Sequence, residues 1–145
     1  MDYQARTRIE DECRRLSSMF AYNLDQRAYS DVAALFAENG QWNRHGKLLV
    51  GRDAIVEALN QRPLNQFTRH LTINVHFHEV SAGDARATVY NISYFSFSEA
   101  PLPQPFLPEN ALLLDFEDRY VKTPDGWKFA ERNISTIFKS PTLIK

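Results

Sequence analysis

The amino-acid sequence predicts an α+β fold in which three N-terminal helices pack on a strongly curved, mainly antiparallel sheet. Apolar residues recur with a helical period up to about residue 60 and with a period of two from Arg69 onward. Helices that precede a run of strands typically gather on one face of an antiparallel sheet. Because long strands twist and coil, we expect a concave space between helices and sheet that holds a small molecule.

The length and composition of the chain indicate a globular protein. Its 145 residues fall within the usual size of a single domain, and we expect one domain over residues 1–145. The net charge is −1, and the lysines and arginines are scattered along the chain. No basic stripe is therefore available to neutralise phosphates, and we expect no nucleic-acid partner.

The sequence shows neither a targeting segment nor a membrane span. The N-terminus, MDYQARTRIEDECRR, carries charges of both signs, and no apolar run approaches the ~18 residues of a membrane helix. Cys13 is the one cysteine, so no disulfide can form within the chain, as is typical of a reducing compartment. We therefore expect a cytoplasmic protein without a membrane partner, in which Cys13 is a small buried hydrophobe.

A single apolar stripe predicts the first helix. Ile9, Cys13, Leu16, Phe20 and Leu24 are spaced four, three, four and four apart, which places them on one helical face. At about 100° per residue, a continuing helix would carry the next acidic residue, at position 25, well off that face.

Two shorter helices and a hairpin are predicted before residue 64. The second helix covers about residues 30–37 and ends at the turn-forming pair Asn39-Gly40. Two extended pieces around His45-Gly46 indicate a hairpin. The string GRDAIVEAL then predicts a third helix, which Pro63 stops.

Four long strands are predicted in the second half of the chain. In the first, Leu71, Ile73, Val75 and Phe77 alternate with polar residues. The others cover about residues 85–98, 111–122 and 127–138, separated by the proline-rich loop EAPLPQPFLPEN and the turn TPDG.

Five strings of residues, in a fixed order between about residue 7 and residue 138, resemble a known family. They are AYNLDQRAYSDVAALFAENGQW, LVGRDAIVEAL, TRHLTINV, GDARATVY and DRYVKTPDGWKFAERNI. Together they resemble the SnoaL-like branch of the NTF2-like superfamily. The ordered set is specific for the fold and poorly specific for function, because one fold hosts many activities.

The resemblance implies a cystatin-like, cone-shaped α+β barrel with a deep pocket, often dimeric. Related members include dehydratases, dehydrohalogenases, isomerases, cyclases and subunits without chemistry of their own. In dehydratase and dehydrohalogenase members, an Asp near the end of the first helix pairs with a His at the start of a long strand. The matching residues are Asp25 in NLDQR and His70 in TRHL. Tyr22 is the nearest match to a helix tyrosine of scytalone dehydratase-like members.

His70 is the strongest candidate for chemistry because an imidazole exchanges protons near neutral pH. A carboxylate on its far nitrogen would fix the tautomer and stabilise the cation. Asp25 can be that carboxylate only if the first helix bends or ends near Leu24; otherwise it is a surface group or a cap. Tyr22 lies one turn before Asp25 and can polarise a carbonyl, or simply pack its ring at an interface.

Other candidates have a structural interpretation beside the functional one. Asn74 shares strand parity with His70 and can either donate to a substrate or satisfy backbone. Asp118 is either a pocket acid or the partner of Arg132 in a salt bridge, which is the interpretation we favour. Apolar pocket walls or ordinary core residues are expected at Trp42, Phe67, Tyr90, Tyr94, Phe95 and Phe116. His76 and His78 share a face but lack a third metal ligand at a recognisable spacing, so no metal is expected.

Three functions remain open at this point. The first is a cofactor-free lyase or isomerase acting on a small hydrophobic or aromatic molecule, with His70 as base, Asp25 orienting it and Tyr22 assisting. The second is a non-catalytic ligand-binding or assembly module. The third is an isomerase or cyclase that uses a strand carboxylate such as Asp118. In each case we expect a homodimer.

Overall fold

The computed structural model describes residues 1–141, and its elements follow the predicted order. The helices are α1 (Tyr3–Asp25), α2 (Tyr29–Ala33) and α3 (Arg52–Asn60). The strands are β1 (Phe36–Arg44), β2 (Lys47–Val50), β3 (Gln66–Val80), β4 (Asp84–Phe97), β5 (Ala111–Thr123) and β6 (Gly126–Lys139). The α+β class predicted from the sequence is confirmed.

The six strands form one curved sheet in the order β2-β1-β6-β5-β4-β3. All neighbouring strands are antiparallel except β1 and β6, which run parallel, so the sheet is mixed. Strands β2 and β3 are its edges and do not pair with each other. The expected barrel is therefore corrected to an open sheet that curves around the helices.

Helix α1 covers the concave face of the sheet and carries the predicted apolar stripe inward. Asp2 caps its first turn, accepting a hydrogen bond from the Ala5 amide at 2.7 Å. Cys13, Leu16, Phe20 and Leu24 are buried against the strands. The helix ends at Asp25, and Arg27 adopts a left-handed φ of 60°, which turns the chain towards α2.

A cluster of aromatic rings fills the space between α1 and the sheet. The Phe20 ring lies edge-on to Trp42, with ring centres 5.2 Å apart, and Phe36 lies 5.2 Å from Phe129. These four side chains come from α1, β1 and β6 and are all buried. Their packing forms part of the core that joins α1 to the sheet.

The predicted second helix is too long at its C-terminal end. Phe36 and Ala37 belong to β1 instead, where Phe36 pairs with Phe129 of β6. The Asn39-Gly40 pair lies inside this strand and does not end a helix. Gly40 is required there by close packing, since a Cβ atom would lie 2.9 Å from the Phe129 carbonyl oxygen.

An irregularity in β3 changes which side chains face the concave side. The pairing with β4 shifts between Thr72 and Val75, so that an extra residue is inserted at this point. His70 lies before the shift, whereas Asn74 lies within it and is exposed. The shared parity of Asn74 and His70 was therefore wrong as a guide to their orientation.

Cys13 is fully buried and has no disulfide, as the apolar stripe predicted. Burial raises the pKa of the Cys13 thiol to about 12. Within residues 1–141, no helix is both long enough and apolar enough to cross a membrane.

The state of Cys13 predicts its reactivity. In the native protein at pH 8 we expect no reaction with Ellman's reagent, because the thiol is protonated and shielded. In urea above the unfolding transition one thiol per chain should react within minutes. Rapid labelling of the native protein at a rate independent of unfolding would contradict this expectation.

Candidate functional site

The end of α1 and the start of β3 meet through the side chains of Asp25 and His70. The His70 ring Nδ1 lies 2.6 Å from Asp25 Oδ1, and the His70 backbone amide donates to Asp25 Oδ2 at 3.0 Å. Both side chains are largely removed from solvent, with exposed fractions of 14% and 6%. Asp25 was expected to reach His70 only if α1 bends or ends near Leu24, and α1 ends at Asp25. A catalytic role for the pair stays a prediction.

The arrangement of hydrogen bonds assigns the histidine tautomer. The Asp25 carboxylate only accepts, so Nδ1 of His70 carries the proton in this contact. Within residues 1–141 the other ring nitrogen, Nε2, has no hydrogen-bond partner. A neutral His70 therefore offers Nε2 as a proton acceptor.

Two residues that the sequence analysis missed hold the Asp25 carboxylate in place. The Thr68 hydroxyl donates to Asp25 Oδ1 at 2.9 Å and accepts from Arg62 Nη2 at 3.2 Å. Arg62 is buried, and its Nη1 donates to the Leu24 carbonyl at the end of α1 and to the Tyr29 hydroxyl. These contacts tie α1, α2 and the loop after α3 to β3.

His70 lines a cavity of about 190 Å³ between α1 and the concave face of the sheet. Most of the wall is apolar and comes from α1, β5 and β6: Phe20, Leu24, Leu112, Leu114, Phe116 and Ile134. Trp42 and Phe95 also line it, whereas Phe67 lines a separate groove beside the proline-rich loop. Of the expected wall residues, Trp42, Phe95 and Phe116 therefore reach the cavity.

The polar residues of the cavity are Arg44, His45, Gln66, Thr68, His70 and Ser93. Arg44, His45 and Gln66 also line a groove next to the cavity, so they form the boundary between the two. No role was predicted for Arg44 or His45, because the sequence of a hairpin turn does not indicate which way its side chains face.

Tyr22 does not line this cavity. Its side chain is 65% exposed and lies on the opposite side of the dyad, in a shallow groove that Asp25 and His70 also border. The helical spacing correctly placed Tyr22 on one face with Asp25 but could not tell on which side of the carboxylate the cavity lies. This placement does not support the assisting role expected for Tyr22.

Tyr90, Tyr94 and Asn74 are also absent from the cavity. In β4 the buried residues Val89, Asn91 and Ser93 alternate with Tyr90 and Tyr94, which face the convex side of the sheet. This placement does not support the substrate-binding role expected for the two tyrosines and for Asn74 in this cavity. The sequence did not reveal this orientation, because side chains alternate between the two faces of a strand and each face of β4 carries aromatic residues.

His76 and His78 lie together on exposed positions of β3, with ring centres 4.9 Å apart. His78 Nε2 lies 2.7 Å from the Thr88 hydroxyl, which in turn donates to Glu117. Among residues 1–141, no three His, Cys, Asp or Glu side chains are grouped so as to hold a metal ion.

Asp118 forms the salt bridge that the sequence analysis favoured, but in the core. Arg132 Nε donates to Asp118 Oδ1 at 2.9 Å and its Nη2 donates to Oδ2 at 3.0 Å, and the Tyr120 hydroxyl donates to Oδ2 at 3.1 Å. Burial raises the pKa of the Asp118 carboxyl, while the Arg132 guanidinium acts against that rise. Both Asp118 oxygens already accept hydrogen bonds and Asp118 does not line this cavity, so its placement does not support the substrate-binding role expected for it.

Arg132 is enclosed by aromatic rings as well as by its ion pair. Its guanidinium carbon lies 4.4 Å from the ring centre of Phe20, 4.2 Å from Phe116 and 4.4 Å from Phe129. Phe20 and Phe116 also line the cavity, so this buried cation supports the cavity wall from behind.

Comparison with known proteins identifies a family whose model matches most of the chain. A family model described as a SnoaL-like domain matches residues 5–133. No curated protein sequence matches the chain.

Solved structures share the fold at low sequence identity. A protein provisionally described as a scytalone dehydratase, from Novosphingobium aromaticivorans, has a TM-score of 0.83 at 20% identity, covering 99% of this chain and 94% of its own. A hexachlorocyclohexane dehydrochlorinase, LinA type 2, has a TM-score of 0.80 at 16% identity, covering 97% and 93%. An NTF2-like protein with a cystatin-like fold, also from N. aromaticivorans, has a TM-score of 0.74 at 16% identity, covering 94% and 86%. At these identities the likeness establishes the fold alone.

The buried ion pair predicts that replacing Asp118 lowers the stability of the fold much more than replacing Asp84, which belongs to an exposed ion pair. We expect Asp118→Asn to lower the free energy of unfolding by about 3–5 kcal/mol, because it leaves the buried Arg132 without a counter-charge. The matched substitution Asp84→Asn removes the partner of Arg119 in an exposed pair and should cost about 0–1 kcal/mol. Urea denaturation followed by circular dichroism measures both, and equal losses would refute the structural role of the buried pair.

Proposed function

This chain belongs to the SnoaL-like domain family, and on that premise we propose that it is a cofactor-free lyase acting on a small organic molecule. The named structural neighbours include a dehydratase and a dehydrochlorinase, whose names describe the loss of water and of hydrogen chloride. Both losses begin with an acidic C–H bond next to a carbon that carries a leaving group. An elimination of this type is the reaction proposed here.

The observation that carries the proposal is the His70–Asp25 contact of 2.6 Å at the wall of an apolar cavity. A base that must remove a proton from carbon needs a free ring nitrogen, a fixed tautomer and protection from bulk water. The carboxylate fixes the tautomer, and its contacts with Thr68 and the His70 amide hold it still. These features support His70 as the base and Asp25 as the residue that orients it.

The proposed step is a proton transfer coupled to the loss of a leaving group. Nε2 of His70 takes the proton from a substrate carbon, and the C–H electron pair becomes the new carbon–carbon double bond. The bond between the neighbouring carbon and its leaving group breaks, and the leaving group takes that electron pair. Asp25 stabilises the imidazolium that forms, through the Nδ1 hydrogen bond.

Two leaving groups are compatible with these residues. A halide can depart as an anion without a proton. A hydroxyl needs one, and the imidazolium of His70 can return the proton it has just taken, so that water leaves and neutral His70 is regenerated. Because Tyr22 lies outside the cavity, neither route uses it.

The cavity favours a substrate with a compact apolar body. Its volume of about 190 Å³ is below the usual range for drug-sized ligands, and aromatic and leucine side chains form most of its wall. We therefore propose a small hydrophobic or aromatic partner molecule. A non-catalytic binding module of the same fold would use the same cavity, so only a reaction assay separates the two functions.

Replacement of His70 tests the lyase proposal. Wild-type protein should exchange an acidic C–H for deuterium in D₂O, or release water or halide, with at least one member of a panel of small β-hydroxy and β-halo carbonyl compounds. Because general-base catalysis contributes roughly 10²–10⁴-fold, His70→Gln should lose about 100-fold or more of that rate. Proton NMR measures exchange and elimination together.

A matched control separates this effect from damage to the strand. His76→Gln changes an exposed histidine of the same strand and should keep the wild-type rate. Circular dichroism must show both variants folded. A His70→Gln protein that reacts as fast as wild type would eliminate the dyad mechanism, and wild-type protein that binds panel members without reacting would favour the binding module.

We further propose that the protein acts as a homodimer joined through the convex face of the sheet. Leu71 pairs with Ile92, Ile92 with Leu113, and Leu113 with Phe138, which gives an apolar row across four strands on the side opposite to His70. Leu71 and Phe138 are exposed, as are the nearby Ile73 and Tyr90. An exposed apolar patch of this extent is typical of an interface.

A charge placed in this row tests the dimer. Wild-type protein should have the mass of two chains in light scattering coupled to gel filtration, and Leu71→Glu should shift it towards one chain. Tyr3→Glu, an exposed aromatic residue at the start of α1, is the matched control and should keep the wild-type mass. A wild-type monomer at micromolar concentration would contradict the proposal.

A further inference from the structure

We propose that the substrate of this cavity carries a planar oxyanion, most simply a carboxylate, which Arg44 binds at the edge of the cavity while the apolar body lies deeper inside. The inference rests on the proposed function in one respect, that this cavity is the substrate site. It adds a chemical class of substrate and a binding residue.

The first observation is that the Arg44 side chain is half-buried yet has no polar partner among residues 1–141. The other arginines of residues 1–141 that are buried or half-buried each donate to a protein oxygen: Arg27 to the Gln66 carbonyl, Arg52 to the Phe36 carbonyl, Arg62 to Thr68, and Arg132 to Asp118. The Arg44 side chain makes no hydrogen bond or ion pair with the described residues. Its contact is with the Trp42 ring, whose centre lies 5.5 Å from the guanidinium carbon. A cation in that position needs an acceptor from outside the described residues.

The second observation is that the surroundings of Arg44 are positive. Partial burial lowers the pKa of Arg44, and the nearby positive charge of Arg62 lowers it further. Neither the cavity nor the groove next to it is lined by any Asp or Glu among the described residues. Asp25 lies behind His70, with its oxygens engaged by Thr68 and His70. The chain as a whole carries a net charge of −1, so this positive potential is local.

The third observation is the division of the cavity into an apolar part and a positive edge. Leu114, Phe116 and Phe20 are buried and form the inner wall, whereas Arg44 also borders the adjoining groove and keeps access to solvent. A guanidinium presents two parallel N–H donors that match a carboxylate, and its face against Trp42 limits its rotation. An amphiphilic anion fits both parts, and a neutral apolar molecule leaves Arg44 without an acceptor.

Binding of two matched probe pairs tests the inference without requiring turnover. The anions are benzoate and cinnamate, and the neutral analogues of the same shape are benzamide and cinnamamide. Isothermal titration of wild-type protein should show tighter binding of each anion than of its amide. Arg44→Gln should reduce anion affinity by about tenfold to hundredfold, the usual range for a hydrogen bond to a charged group, and leave the amides little changed.

Three further variants complete the experiment. Arg44→Lys keeps the charge and should retain part of the preference for the anion, and Arg15→Gln, an exposed arginine on α1, should retain all of it. His76→Gln, at an exposed histidine of β3 outside the cavity, should also retain it. Because the measured quantity is binding and not turnover, a failure of the lyase proposal is distinguished from a failure of this one. Equal affinity of anion and amide in wild type, a preference that survives in Arg44→Gln, or no anion binding at millimolar concentration would each overturn the inference.

Discussion

The Asp25 carboxylate is the junction on which the site depends. It ends α1, accepts from the Thr68 hydroxyl and the His70 amide at the start of β3, and contacts the His70 ring. A charged acceptor in a partly buried position is stabilised by such donors and costs free energy if any of them is removed. The same contacts fix where the helix lies on the sheet and where the imidazole points. The contacts that position the helix on the sheet therefore also set the geometry of the candidate base.

The opposite wall of the cavity depends on a second polar contact, the Arg132–Asp118 pair. A guanidinium that is this deeply buried is tolerated because a carboxylate and the Ser17 hydroxyl accept hydrogen bonds from its Nε and Nη2, and because three aromatic rings enclose it. Its Nη1 has no hydrogen-bond partner among the described residues. That arrangement also gives Asp118 a structural role, since both oxygens of its buried carboxylate already accept hydrogen bonds from Arg132 or the Tyr120 hydroxyl. Asp118 was therefore a reasonable candidate for a pocket acid from the sequence, but the residues that surround it in the fold determine its role.

The sequence was sufficient where a pattern repeats and insufficient where a single contact decides. The stripe of α1, the third helix and the four long strands follow from apolar periodicity, and the ordered strings identified the family and paired Asp25 with His70. The insertion in β3 was not predictable, because an extra residue leaves the alternation of Leu71 and Ile73 intact while turning Asn74 outward. The face on which Tyr90 and Tyr94 lie was not predictable, because alternation separates the two faces of a strand without indicating which one is concave. Thr68 and Arg62 were missed because their contacts join residues far apart in the chain.

Two arginines near this cavity illustrate why selectivity for charge belongs at its edge. Arg132 is enclosed, and an enclosed cation without a counter-charge costs several kcal/mol, so its partner must be part of the fold and cannot be exchanged for a ligand. Arg44 is partly solvated, so water can serve it when the cavity is empty and the cost of lacking a protein partner is small. A substrate oxyanion that displaces this water gains a charge-assisted hydrogen bond in a region of reduced dielectric constant, next to a ring that already orients the guanidinium. The inner wall then contributes affinity for an apolar body. Discrimination between an acid and its neutral analogue falls to Arg44, whose side chain has no acceptor among the described residues.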